Sequence, residues 1–276
     1  MTQHSDKYRY TLKDLLRVMQ RLRDPDGGCP WDIKQDFATI VPSTLEECYE
    51  LADAIERGDV AHVAEELGDV LFQVIFYSQL GAEQGDFDFG QIVDTLTSKL
   101  LRRHPHVFAD GDIEGRLSSA TDIDAVKASW ERIKQEERAG KSQHGILADV
   151  PLALPALVRA QKIQKRAAGV GFDWSEISEV IVNLESEIAE LKAALATANS
   201  EHIADEFGDV LFSAVNLGRH LKLDSETALR RATHKFEQRF KTMEQLADSD
   251  RKPLAGSSPK RLEALWSQVK STKGNL

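Results

Sequence analysis

Cysteine is nearly absent: Cys29 and Cys48 are the two in 276 residues, and their spacing is that of neither a metal pair nor a redox pair. That argues against a disulfide-built scaffold and fits a reducing compartment, with two inert core thiols expected and one bond between them left open by sequence alone. Long apolar runs are lacking too. The longest, around residues 70–77, falls far short of the roughly 20 residues of a membrane span, and residues 1–10 carry no apolar stretch of signal-peptide type. A cytoplasmic chain without a membrane partner is the expectation. Basic residues are in deficit, 35 against 45 acidic ones, for a net charge of −10 and a pI near 5.4. Coating a nucleic-acid polymer needs a broad basic surface, so no such partner is expected. A small phosphorylated ligand stays admissible, because metal ions and a few local Lys/Arg side chains reverse the field within one cleft. No Gly/Ser-rich or single-residue tract marks extended disorder, and no Walker-type spacing marks a P-loop ATPase.

What is present is a globular composition, 41% hydrophobic and 29% charged, over a length sufficient for two domains with cores of their own. It is also an internal repeat. Gly68-Asp69-Val70-Leu71-Phe72 recurs as Gly208-Asp209-Val210-Leu211-Phe212 at an offset of 140, which also maps Glu47, Glu50, Glu66 and Asp69 onto Glu187, Glu190, Glu206 and Asp209, and His62 onto His202. Farther along, an offset of 136 pairs Lys99 with Lys235, Arg103 with Arg239, Trp130 with Trp266 and Lys134 with Lys270. A four-residue difference is therefore expected in a connector near 81–91, where length changes are tolerated. The stretch 136–155, polar and then proline-punctuated, suits an interdomain join, and the expected domains are 1–140 and 141–276.

Within each copy the apolar positions keep a helical period: Leu45, Cys48, Ala52, Ile55, then Val63, Leu67, Val70, Val74. In copy two Leu184, Ile188, Leu191 and Leu195 precede Ile203, Phe207, Val210 and Leu211. Gly58-Asp59 and residues 197–200 separate the segments as stop and restart signals, so each pair predicts a helical hairpin. Amphipathic segments at 89–103, 125–138, 225–245 and 260–270 complete an all-α reading with tandem helical-bundle domains. Two short helices bury little alone, so each hairpin is expected to pack on another copy, in this chain or a second one, and a homodimer follows.

Residues three apart share a helix face, so Glu47 with Glu50 and Glu66 with Asp69 project as pairs that antiparallel packing sets opposite each other. Four carboxylates in one partly buried place repel unless a hard divalent cation such as Mg²⁺, or Mn²⁺ in its stead, neutralises them. A single E-x-x-E in so acidic a chain is more often a solvated face. Here all four positions recur with identical spacing, beside apolar stripes and linked to a repeated basic and aromatic set.

These paired acidic elements, with the two G-D-V-L-F runs, resemble the all-α nucleoside triphosphate pyrophosphohydrolase superfamily. Gly28-Cys29-Pro30-Trp31-Asp32, the run Arg102-Arg103-His104-Pro105-His106-Val107-Phe108 and the run from Arg159 to Arg166 resemble the MazG type over nearly the whole chain. The resemblance implies hydrolysis of (d)NTPs to monophosphate and pyrophosphate with Mg²⁺ held by Glu187, Glu190, Glu206 and Asp209, and by Glu47, Glu50, Glu66 and Asp69 in copy one. It places phosphate-binding positions on Lys235 and Arg239, with Trp266 near the nucleotide and Lys270 one turn beyond; Lys99, Arg103, Trp130 and Lys134 are the copy-one counterparts. Lys and Arg four apart on a helix clamp a polyphosphate, and an indole face stacks on a base with little regard for its identity. A solvated basic face, and a core or interface tryptophan, are the bland alternatives. The double Glu that opens the family motif is Glu46-Glu47 in copy one but Ser186-Glu187 in copy two. His202, four residues before Glu206, is a candidate phosphate contact, whereas His104 and His106 are expected to cap or pack.

The chemistry so implied is metal-assisted attack of water on the α-phosphorus, with Glu190, or Glu50 in copy one, as candidate base and pyrophosphate leaving. Dimetal redox bundles use Glu-x-x-His ligands, and none occurs here. A binding module that holds nucleotide or a partner without turnover is the third reading, and with both acid tetrads present the letters do not say which copy works.

Overall fold

The computed structural model describes residues 9–115, 122–139 and 145–272. It divides into two compact units, Met1–Gly140 and Lys141–Leu276, and is helical throughout, with no strand among the described residues. Unit 1 runs α1 (Leu12–Leu22), α2 (Pro30–Ile33), α3 (Phe37–Arg57), α4 (Val60–Gln84), α5 (Phe89–Arg103), a 3-10 turn (Ala109–Gly111) and α6 (Ile123–Ala139). Unit 2 runs α7 (Ala156–Ala168), α8 (Ile177–Thr197), α9 (Ser200–His220), α10 (Ser225–Ser249) and α11 (Pro259–Thr272).

The α3–α4 hairpin is set by its ends. Asp36 accepts from the amides of Ala38 and Thr39, and Thr39 returns a bond to the Asp36 amide, so α3 starts at Phe37 even though Pro42 lies inside it. Gly58 closes it with φ 71°, the left-handed cap that costs glycine least. Asp59 then caps α4. Met19, Ile40, Ile75, Phe76 and Leu80 form the core where α1, α3 and α4 meet, and each such side chain contributes about 1.5–3 kcal/mol when fully buried. Arg23 ties the α1–α2 loop to α4: it pairs with Glu83 at 2.6 Å and donates to the Asp32 and Gln35 carbonyls, which holds the Gly28–Asp32 motif on the hairpin.

In unit 2 the α8–α9 hairpin repeats that plan. Helix α7 lies on α9, where Gln164 donates to the Phe212 carbonyl at 2.8 Å, and α10 packs on α11 around Met243, Ala247, Leu265 and Val269. Helix α4 has 25 residues and α9 has 21, while the links to α5 and α10 are equally long. The four-residue difference is thus one extra helical turn, not a longer connector; a whole turn keeps the apolar face in register. Both cysteines are free, and Cys48 is exposed and not a core thiol: on α3 it is Thr44 and Glu47, not Cys48, that meet α4.

Candidate active site

Each hairpin carries its four acids at corresponding positions of its two helices, but a different three of them converge in each. In unit 1 the ligand oxygens of Glu47, Glu66 and Asp69 all lie within 4.8 Å of one another, and in unit 2 those of Glu187, Glu190 and Glu206 do so. Glu50 and Asp209 stand just outside these triplets. Their charge still reaches the centre: burial first, then Asp69, Glu50 and Glu66, push Glu47 above the ordinary carboxylate range, and burial, then Glu190, Asp209 and Glu206, do the same to Glu187. Glu66 is 5% exposed, and its Oε2 has no hydrogen-bond partner. An ionised oxygen buried without a donor is costly. A divalent cation among these oxygens supplies what the protein does not, and an all-oxygen set suits a hard ion. The donor set therefore fits a metal.

The histidines face the same acids. His62 Nε2 lies 2.6 Å from Glu66, with Arg57 at 3.0 Å from its Nδ1, and His202 Nδ1 lies 3.5 Å from Glu206. Where copy two replaces the first glutamate of the motif, the Ser186 hydroxyl donates to Glu190 Oε1 at 3.1 Å. Behind the acids Asn183 donates to Ser213 at 2.9 Å in unit 2, and in unit 1 Thr44 meets Tyr77 at 3.0 Å beside the buried Gln73.

The basic and aromatic positions are less uniform. Lys235 is exposed and Arg239 half-buried on α10, and no ion pair or hydrogen bond among the described residues joins them to the carboxylates. Trp266 rests on Phe236 at 5.2 Å and packs against the α10–α11 core, with Lys270 exposed one turn on. In unit 1 Lys99 is half-buried, Trp130 lies 5.4 Å from His104, which caps α5 and donates from Nδ1 to the Leu100 carbonyl, and the side chain of Lys134 lies outside the described residues. Arg103 is engaged. It and Arg102 converge on Glu137 of α6, at 2.5 and 2.7 Å, and hold that carboxyl down at about 2, Arg103 contributing most. Glu137, Arg57 and the Ser186 hydroxyl were not singled out from sequence: their partners are set by packing between helices or by side-chain rotamer. The one available signal was Ser186 itself, a departure from the doubled glutamate.

A family model described as the MazG nucleotide pyrophosphohydrolase domain matches residues 35–108 and 176–243. The chain is 50% identical over 264 residues to the nucleoside triphosphate pyrophosphohydrolase of Escherichia coli (strain K12), covering 95% of this chain and 98% of that protein. It is 41% identical over 258 residues to the nucleoside triphosphate pyrophosphohydrolase/pyrophosphatase MazG of Thermotoga maritima, covering 94% and 95%.

Proposed function

From the fact that the chain belongs to the MazG nucleotide pyrophosphohydrolase family, we propose that it hydrolyses ribo- and deoxynucleoside triphosphates to the monophosphate and pyrophosphate, using acids of the helical hairpins. The observation that carries this at the site is the convergence of three carboxylates from two helices, one of them buried with an unpartnered oxygen.

In this reading Glu187, Glu190, Glu206 and Asp209, and their counterparts Glu47, Glu50, Glu66 and Asp69, hold Mg²⁺, with Mn²⁺ as a substitute. Bound there, such a cation would neutralise the triphosphate and make the α-phosphorus easier to attack. Glu190, or Glu50, takes the proton of the attacking water, and the Ser186 hydroxyl fixes the Glu190 carboxylate for that task. Lys235 and Arg239 stabilise the charge that grows on the departing pyrophosphate, and His202 lies close enough to Glu206 to share the phosphate side of the site. Trp266 offers an aromatic face beside Phe236 and selects little among bases. Lys99, Arg103, Trp130 and Lys134 occupy the same roles in copy one.

The assembly proposed is a homodimer. Leu67 and Leu71 of α4 stay 52% and 39% exposed, and Phe207 and Leu211 of α9, at the same repeat positions, 52% and 45%. An apolar stripe repeated in both hairpins is what a partner copy covers. No helix of the described residues is long and apolar enough to cross a membrane. We place the protein in the cytoplasm, acting on free nucleotides and not on a nucleic-acid polymer.

The test is a product assay on the common ribo- and deoxynucleotides, with Mg²⁺ and with the metal chelated. Metal-dependent release of pyrophosphate and monophosphate is expected, and orthophosphate release rejects the bond assignment. Glu50→Gln and Glu190→Gln, assayed separately and together, identify the working copy; activity that survives the double substitution removes the proposed base.

A further inference from the structure

The two copies differ at the basic set in a way their acids do not. In unit 1 Glu137 uses both carboxylate oxygens on two guanidinium groups: Oε1 accepts from Arg102 Nε at 2.9 Å and Nη2 at 2.7 Å, and Oε2 from Arg103 Nη2 at 2.5 Å. Arg103 also sets its Nε 3.3 Å from Oε1, so its two N–H groups fork over the two oxygens as an arginine does over a phosphate. At the 136-residue offset Arg102 corresponds to Gln238 and Glu137 to Lys273, so copy two has neither the second guanidinium nor the acid. Arg239, the counterpart of Arg103, has no ion-pair partner among the described residues.

We infer that Glu137 is a built-in competitor for the phosphate-binding arginine of copy one, occupying Arg102 and Arg103 as an anionic ligand would and lowering that copy's affinity for polyphosphate. The inference rests on the proposed role of Arg103 as a phosphate-binding position. The carboxylate is 21% exposed and Arg103 24%, so the pair is partly withdrawn from water, where a charge-assisted contact is worth more than on the open surface. Being part of the chain, Glu137 meets the arginines at a high effective concentration that an incoming pyrophosphate must overcome. With its pKa held down to about 2 by the two arginines, it stays ionised, and so competes, throughout the physiological range. A purely architectural clasp between α5 and α6 predicts a loss of stability on its removal but no gain in anion binding.

The experiment uses the full chain carrying Glu190→Gln, with inorganic pyrophosphate and Mg²⁺ titrated calorimetrically into it, into the same chain with Glu137→Gln, and into a third with Glu137→Gln and Arg103→Ala. Glu137→Gln is expected to tighten one pyrophosphate site per chain by about tenfold, the loss of one charge-assisted contact to the competitor, and Arg103→Ala is expected to abolish that gain. No tightening, or tightening that persists without Arg103, overturns the inference. Should Glu137→Gln not fold, Glu137→Asp keeps the charge and withdraws the oxygens by one methylene; a smaller gain is then expected, and none overturns. Pyrophosphate release from ATP by the unsubstituted chain is measured alongside. Its absence sinks the proposed function whatever Glu137 does, whereas an active parent with unaltered binding in the Glu137 variants sinks only the competitor.

Discussion

At the scale of single residues, the departures between copies are the informative ones. Ser186 stands where copy one has Glu46, and its hydroxyl donates to Glu190 at 3.1 Å. Ser186→Ala removes that bond without touching the charge of the cluster. Turnover of ATP is expected to fall about threefold to tenfold with little change in KM, the range of a modest hydrogen bond to a charged group, read by steady-state pyrophosphate release. Asp173, on the turn before α8, shows what a structural acid does instead. It is paired with Arg219 and His220 and held from the usual 3.8 down to about 2, chiefly by the hydrogen bond from Arg219. Because its folded pKa lies below its unfolded one, it stabilises the fold above pH 3.8, and that contribution drains away as pH falls toward about 2. Asp173→Asn is expected to cost about 1 kcal/mol at neutral pH, after allowance for solvent screening, and the gap to the parent should close across that acid window in a urea-melt series. Neither role was visible in the letters: the acids of the repeat were legible because spacing aligns them on a helix face, but Asp173 and Glu137 take their partners from 46 and 34 residues away.

Among the elements, the helices carrying the acids were legible from apolar period and from the stop signals between them. Helices α1, α2 and α7 were not delimited in advance. Helix α1 does carry a full apolar stripe, Leu12, Leu15, Leu16, Met19 and Leu22, behind a Thr11–Asp14 capping box, whereas the four residues of α2 are too few to show a period and α7 is tied down by what it packs on, as Gln164 is on α9. Pro42 similarly hid the first turns of α3, which the Asp36–Thr39 capping box sustains. The repeat also exposes a cap that is not optimised. Ala198 ends α8 with φ 52°, where copy one ends α3 with Gly58 at φ 71°. A left-handed alanine is strained, and its glycine substitute recovers more than it loses in unfolded-chain entropy. Ala198→Gly is expected to raise the unfolding free energy by about 0.5–1 kcal/mol, seen as a higher denaturant midpoint at unchanged m-value. Near the end of α4 a Cβ at Gly81 would stand 2.6 Å from the Phe87 ring, so the chain that turns back after the left-handed Gly85 can seat Phe87 on the helix because residue 81 has no side chain.

For the molecule as a whole, an apolar stripe lies exposed on both hairpins, and the proposed dimer covers it. Leu211→Glu places a charge in the stripe without altering any acid of the site. It is expected to shift the chain from dimer to monomer mass in sedimentation or light scattering, and an unchanged dimer would move the interface elsewhere. The tandem duplication, the all-helical class and the eight acids were determined by the sequence itself, because helical period and repeat offset depend only on order along the chain. Tertiary structure alone decided which oxygens converge, that Glu50 and Asp209 sit at the margin of their clusters, that Trp266 leans on Phe236, and that Arg103 is held by Glu137 while Arg239 is not. Those are distances between side chains on different helices, fixed by how the helices rotate and pack against one another, and no spacing within a single element encodes them.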